Sequence, residues 1–190
     1  MHRGRFWRWP SLCVGAVLGM GMGWATHALW YWNWETAVPP VSEPLIIRQD
    51  AKGDGHFGAP RSGGRRHRGV DVEAAVGTPV RVIQSGRVVE IGTHRGLGLF
   101  LVVEHQAALK SVYAHLNSVE VRVGERLRQG RTIGTVGKSG NARHPWIHPH
   151  LHVEVLRNDQ PVDPASLGLA LIEPVIQKGS AQYAHANLDD

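Results

Sequence analysis

Two hydrophobic regimes divide the chain. Residues 12–32 form an unbroken apolar stretch with no Asp, Glu, Lys or Arg. As a helix rising 1.5 Å per residue it covers roughly 30 Å, the thickness of a bilayer's hydrocarbon core. Trp7 and Trp9 precede it, and Trp30, Tyr31, Trp32 and Trp34 close it, the arrangement of interfacial aromatic belts. Beyond Pro39, Pro40 and Pro44 the pattern changes to short β-branched runs separated by glycine: 78–83, 87–91, 99–105, 110–116, 119–123 and 150–156. Sixteen of the 23 glycines fall between Gly53 and Gly140, and no amphipathic helix longer than about two turns is evident. This predicts a mainly β chain, an antiparallel sandwich or open barrel, preceded by one N-terminal transmembrane helix. Asp163-Pro164 predicts the cap of a short helix over 165–171.

The pattern sets the expected organisation: a cytoplasmic N-terminus at 1–10, a transmembrane anchor at 11–32 and a Pro-rich linker at 33–50. The β domain follows at 51–168 and a tail at 169–190. The linker reads as an extended spacer without a catalytic element. No internal repeat is present.

Composition narrows the picture. The 190 residues suit one domain with appendages, and 42% hydrophobic against 19% charged residues excludes a disordered chain. A single cysteine excludes an intrachain disulfide and a Cys-based zinc finger. The net charge of +5 depends on Arg3, Arg5 and Arg8; from Glu35 onward 18 basic residues face 16 acidic ones. With no Lys/Arg run interleaved with aromatics, nucleic-acid binding is not expected. Three arginines before the apolar span, and none after it until Arg48, place the N-terminus in the cytoplasm and the β domain outside. That fits a single-pass membrane protein whose β domain lies outside the cytoplasm. A cleaved signal peptide fits less well, because the apolar run is long and no A-x-A site follows. A lipoprotein is excluded by Leu12, which stands before Cys13 where a small residue is required. Gly15, Gly19 and Gly23 recur every four residues, a spacing shared by helix-dimerisation faces, and so of homodimers, and by ordinary membrane helices.

Twelve histidines point to metal chemistry, and three short segments localise it. In His67-Arg-Gly-Val-Asp71 the imidazole and carboxylate share a face on a strand or on a helix, and both are suitable Zn²⁺ ligands. Alone, this spacing is a common chance pairing. In His150-Leu-His152-Val-Glu154, alternation puts His150, His152 and Glu154 on one face and Leu151, Val153 and Val155 on the other. Such a face suits a ligand beside a proton-transfer group, or plain surface. His115, in Val112-Tyr-Ala-His-Leu116, reads equally as a half-buried strand histidine or as a functional one.

Together these segments resemble the lysostaphin-type zinc metallopeptidases, the LytM or M23 family, over 57–167. The resemblance includes F-G-x-P-R at 57–61, H-x-G-x-D at 67–71, G-T-P-V at 77–80, G-x-V at 86–88 and G-x-G at 96–98. It continues through Y-A-H-L at 113–116, V-x-x-G at 121–124, I-G-x-V-G at 133–137, H-L-H at 150–152 and P-V-D-P at 161–164. It implies that His67, Asp71 and His152 ligate one Zn²⁺ per chain and that His115 and His150 are the catalytic pair. It also implies a peptidase whose substrate is the peptide part of peptidoglycan, and with the apolar span a single-pass protein of the bacterial inner membrane with a periplasmic domain. Three protein ligands leave a fourth position for water or a carbonyl, and without an H-E-x-x-H glutamate something else must move protons: one of His115 and His150 could take a proton from the water while the other stabilises the oxyanion or protonates the leaving amine. A non-catalytic LytM-like regulator of an amidase is the rival. Such relatives typically lose ligands or carry a coiled coil, and neither holds here. A peptidase acting on a protein substrate is a third reading. Two departures stand out: a longer loop carrying His144, Trp146 and His148, and Leu97 in place of an aromatic residue. His94 and His105 read as structural, and His56 is left open.

Overall fold

The structure, a computed structural model, describes residues 37–174. In chain order the strands are β1 (Leu45–Ile46), β2 (Gln49–Asp50), β3 (Gly53–Asp54), β4 (Gly69–Glu73), β5 (Pro79–Arg81), β6 (Gly86–His94) and β7 (Gly98–Glu104). They continue with β8 (Leu109–Val119), β9 (Arg126–Leu127), β10 (Thr132–Val136), β11 (His150–Arg157), β12 (Gln160–Val162) and β13 (Leu171–Ile172). The chain is mainly β, and every pairing is antiparallel except β1 with β13. Among the described residues no helix is long and apolar enough to cross a membrane; the expected span at 11–32 lies outside them.

One nine-stranded sheet carries the architecture, with β12, β11, β8, β7, β6 and β9 in order. The β4 strand pairs with the first half of β11 on the side that β12 continues, opposite β8, while β10 pairs with both β8 and β5. Alternation decides what each face does. Leu151, Val153 and Val155 of β11 point into the core with Val70 and Val72 of β4, Leu101 and Val103 of β7, and Tyr113 and Leu116 of β8. Each such side chain contributes roughly 1.5–3 kcal/mol by leaving water. The opposite face of β4 and β11 is left for chemistry. The two strands run close enough for this only because Gly69 has no side chain: a Cβ there would lie 2.2 Å from the Val153 carbonyl.

A chain of polar groups crosses the core beside these residues. Ile83 N–H donates to Tyr113 Oη over 2.9 Å. Ser111 Oγ lies 2.9 Å from Tyr113 Oη and 2.7 Å from His105 Nε2. His105 Nδ1 donates to the Ser85 carbonyl over 3.1 Å, since a carbonyl can only accept. Burial lowers His105 to about 4, so its ring is neutral and Nε2 must accept.

Four expectations are corrected. The stretch 37–50 is not a spacer: Ala37, Val41, Leu45 and Ile47 are buried in the core, and Arg81 N–H donates to the Pro40 carbonyl. Hydrophobic residues between prolines gave a core-packing arm the look of a linker. Residues 169–172 are not tail either, because Leu169 is buried and β13 pairs with β1. The expected helix at 165–171 is one 3₁₀ turn, Pro164–Leu167, capped by Asp163 and ended by Gly168 in a left-handed conformation. Of the expected run at 119–123, only Val119 lies in a strand.

Candidate metal centre

The polar face of β4 and β11 collects the five site residues expected from sequence. In the register His152 sits directly opposite Asp71, and His150 stands two residues along on the same face. His67, two residues before β4, is held by backbone hydrogen bonds in both directions with the 58–59 turn. His67, Asp71, His115, His150 and His152 are each at most 7% exposed, so their charges interact through a largely water-free interior.

His115 reaches this face by an irregularity. The β8 edge pairs with β11 as far as Ala114 opposite His152, then with β10 from Leu116 opposite Val136. Simple alternation would put His115 on the core face with Tyr113. Instead its φ is +61°, and the turned backbone sends the imidazole to the histidines while Leu116 takes the next core position. A left-handed conformation at a non-glycine residue costs roughly 1–2 kcal/mol. The adjoining turn depends on Gly98, with φ of +66° and a Cβ position only 2.2 Å from Ser139 Oγ.

Each imidazole is anchored through one nitrogen and presents the other. His67 Nδ1 donates to the His56 carbonyl (2.7 Å), His115 Nδ1 to the Ser139 carbonyl (3.1 Å) and His150 Nδ1 to the His148 carbonyl (2.7 Å). His152 uses Nε2 instead, 3.1 Å from Glu154 Oε1. Arg68 Nε lies 3.5 Å from the other oxygen of that carboxylate. Such outer partners fix tautomer and orientation at metal sites.

Three presented atoms converge. His67 Nε2 lies 3.1 Å from His152 Nδ1 and 3.1 Å from Asp71 Oδ1, and His152 Nδ1 lies 2.7 Å from Asp71 Oδ1. Tetrahedral zinc with bonds near 2.0–2.1 Å needs ligand atoms about 3.3 Å apart, so the triangle fits with slight expansion. Two imidazole nitrogens and a carboxylate oxygen are all acceptors of a proton or a cation, so this close approach suits either a shared proton or a metal ion. Burial alone would push the Asp71 carboxyl up, but hydrogen bonds with His152 and His67 hold it well below the usual carboxylate range. His152 is raised to about 9 despite burial, because Asp71 and Glu154 flank it. The donor set fits one zinc ion, and no other cluster of this kind occurs among the described residues.

The other two histidines complete the site. The His115 and His150 rings pack edge to face with centroids 4.8 Å apart, and His115 lies 5.8 Å from His152. Burial, reinforced by the neighbouring His150 and His152, lowers His115 to about 3, and burial also lowers His150. Both are therefore neutral near pH 7, each with Nε2 ready to take a proton.

Residues 65–164 match peptidase family M23, over half of the chain. The chain belongs to that family. This M23 domain is similar to the DD-carboxypeptidase/endopeptidase Mpg of Neisseria meningitidis serogroup B, at 36% identity over 120 residues. That match covers 63% of this chain and 26% of the relative. The peptidoglycan DD-endopeptidase ShyB of Vibrio cholerae is 35% identical over 97 residues, covering 51% of this chain and 22% of its own. The chain thus spans about a quarter of the length of the curated relatives it matches. Among solved structures, the catalytic domain of the antimicrobial peptidase lysostaphin from Staphylococcus simulans superposes with a TM-score of 0.53 and 31% identity. It covers 63% of this chain and 92% of that one. A zinc-containing peptidase from Vibrio cholerae gives 0.50 and 31%, over 65% of this chain and 39% of that one.

Several residues of the M23 site were not given roles from sequence. Glu154 stood on the right face of β11 but had no assigned partner. Ser139, which holds His115, carries no residue-type signal because its backbone carbonyl acts. Arg48 and Asp50 lay in the supposed spacer. In the 144–148 loop, Trp146 is exposed, while His148 N–H donates to Asp50 and its ring meets Glu73. His94 Nδ1 accepts from Gly96 N–H within its own turn. His56 bridges Asp54 and Glu173 by its ring.

Proposed function

We propose that this chain is a membrane-anchored zinc endopeptidase that hydrolyses peptide bonds in peptidoglycan, with its M23 domain in the periplasm. The observation that carries this reading is the convergence of three metal-donor atoms beside two neutral histidines, all on one water-poor face. His67, Asp71 and His152 would hold the zinc. Bound there, zinc supplies Lewis-acid polarisation of the scissile carbonyl and acidification of water. His115 and His150 handle the protons. One accepts a proton from the attacking water through its Nε2, and the pair delivers a proton to the departing amine. Their Nδ1 anchors fix both rings and leave Nε2 as the nitrogen that exchanges protons, without further ordering. The relatives named as peptidoglycan endopeptidases support the substrate class. The apolar span at 11–32, with arginines before it, supports the anchor.

The test uses the purified chain in detergent with Zn²⁺ and isolated peptidoglycan. Release of defined muropeptides, abolished by His67→Ala, is expected. A zinc-loaded chain that binds the wall yet cuts no cross-link would instead make it a regulator of another hydrolase. Cleavage of a protein but not of peptidoglycan would move the substrate class. Membrane attachment predicts that alkaline carbonate leaves the chain in the membrane fraction.

A further inference from the structure

The metal-donor carboxylate is braced by an arm that precedes the family match. Arg48, in the arm between β1 and β2, is only 5% exposed. Its Nη2 donates to Asp71 Oδ2 over 3.0 Å, and its Nη1 to Asp50 Oδ2 over 2.5 Å. The same Asp50 oxygen accepts from His148 N–H over 2.9 Å. The carbonyl of the same residue, His148, in turn accepts from His150 Nδ1. A continuous line of charged and peptide groups therefore joins the metal side of the site to the proton-transfer side. Backbone pairing holds the arm in place, through Arg48 N–H to the Asp71 carbonyl and Asp71 N–H to the Gly55 carbonyl.

Two features argue that this brace serves the site. Burying an arginine is costly unless carboxylates compensate it, and Arg48 Nε has no hydrogen-bond partner among the described residues. An apolar side chain would serve core packing better. The fork also divides the Asp71 carboxylate. Oδ1 faces His67 and His152, while Oδ2 faces Arg48, with Arg61 Nη2 at 3.5 Å behind it.

We propose that Arg48 and Asp50 are positioning residues of the metal centre: Arg48 reserves Asp71 Oδ2 so that Asp71 meets the metal through Oδ1 alone, and Asp50 fixes His150 through the backbone of His148. This rests on the zinc reading above. A two-pronged guanidinium is required, because a lysine ammonium cannot hold both carboxylates in one plane.

The experiment uses the 190-residue chain in detergent, with folding of each variant checked by circular dichroism. Zinc affinity is measured by competition with a chelating dye, coordination by the visible spectrum of the Co²⁺-loaded protein, and kcat and KM on peptidoglycan. Arg48→Gln is expected to weaken zinc binding roughly 10- to 100-fold. Its cobalt bands should weaken as the freed Oδ2 raises the coordination number. Arg48→Lys, which keeps the charge, should fall between and decides the matter if the glutamine variant does not fold. Asp50→Ala should lower kcat roughly 10- to 100-fold at unchanged KM, with a smaller loss of zinc affinity than Arg48→Gln. Wild-type zinc affinity and cobalt spectrum in both Arg48 variants would overturn the role of Arg48. Wild-type kcat in Asp50→Ala would overturn the link to His150. A wild-type chain that takes up no zinc overturns the metal-centre reading itself, and this inference with it.

Discussion

Acidification should unfold this domain partly through one buried histidine far from the metal donors. His105 is 6% exposed, hydrogen-bonded at both nitrogens, and lowered to about 4 from an ordinary value of 6.5. Burial is the main cause, and the Ser85 carbonyl only partly opposes it. Between these values the unfolded chain binds a proton at His105 and the folded chain does not. Stability must therefore fall as pH drops through that window, and the contribution is fully present only above 6.5. At about 1.4 kcal/mol per tenfold change, the interval corresponds to roughly 3 kcal/mol. That is a large part of the total for a domain of this size. The assay is urea denaturation followed by far-ultraviolet circular dichroism at several pH values, for wild type and His105→Gln, both chelator-treated. Gln offers a donor and an acceptor but does not titrate. The variant starts less stable, and the comparison is between slopes, in which every other titrating group cancels. Wild type should lose roughly 3 kcal/mol more than the variant from pH 6.5 to 4. Parallel pH dependences would refute the neutral, buried histidine.

Zinc in a thousandfold excess over its Kd should stabilise the chain by about 4 kcal/mol, and a thermal melt should show Tm raised on the order of 10 °C. A His67→Ala chain should show little of that rise. His115→Asn should abolish muropeptide release while leaving Tm nearly unchanged, because Asn tolerates the left-handed backbone at φ +61°; a steep fall in Tm would show that the imidazole is structural. Gly98→Ala should cost at least roughly 1–2 kcal/mol by denaturation and lower activity, since the new Cβ displaces Ser139 and so the His115 anchor.

What the sequence made legible is what depends on side-chain type at short range. Alternation in 150–156 put His150, His152 and Glu154 on one face and an apolar set on the other, and β11 does this. The glycine-separated runs announced an antiparallel β domain. Less visible was anything decided by the backbone across long distances. The placing of His115 follows from β8 changing partners between Ala114 and Leu116, which no local pattern records. The histidine anchors at His56, Ser139 and His148 are carbonyls, so residue identity says nothing about them. The arm at 37–50 was misread because prolines signal extension whether or not the extended chain packs, and its burial depends on partners more than 100 residues away. One of these is Leu171, opposite Leu45.

That last pairing has a kinetic consequence. Only two residues on each side join β1 to β13, with Ile47 N–H adding a bond to the Ile172 carbonyl. Short edge pairings open more readily than the strands of a central sheet. Each such opening would loosen the arm that ends in Arg48, so the site inherits the breathing of the domain's far C-terminal edge. Hydrogen exchange should report it as a unit: the Ile47 and Arg48 amides exchange together, faster than those of β8, and faster still when the chain is cut after Gly168.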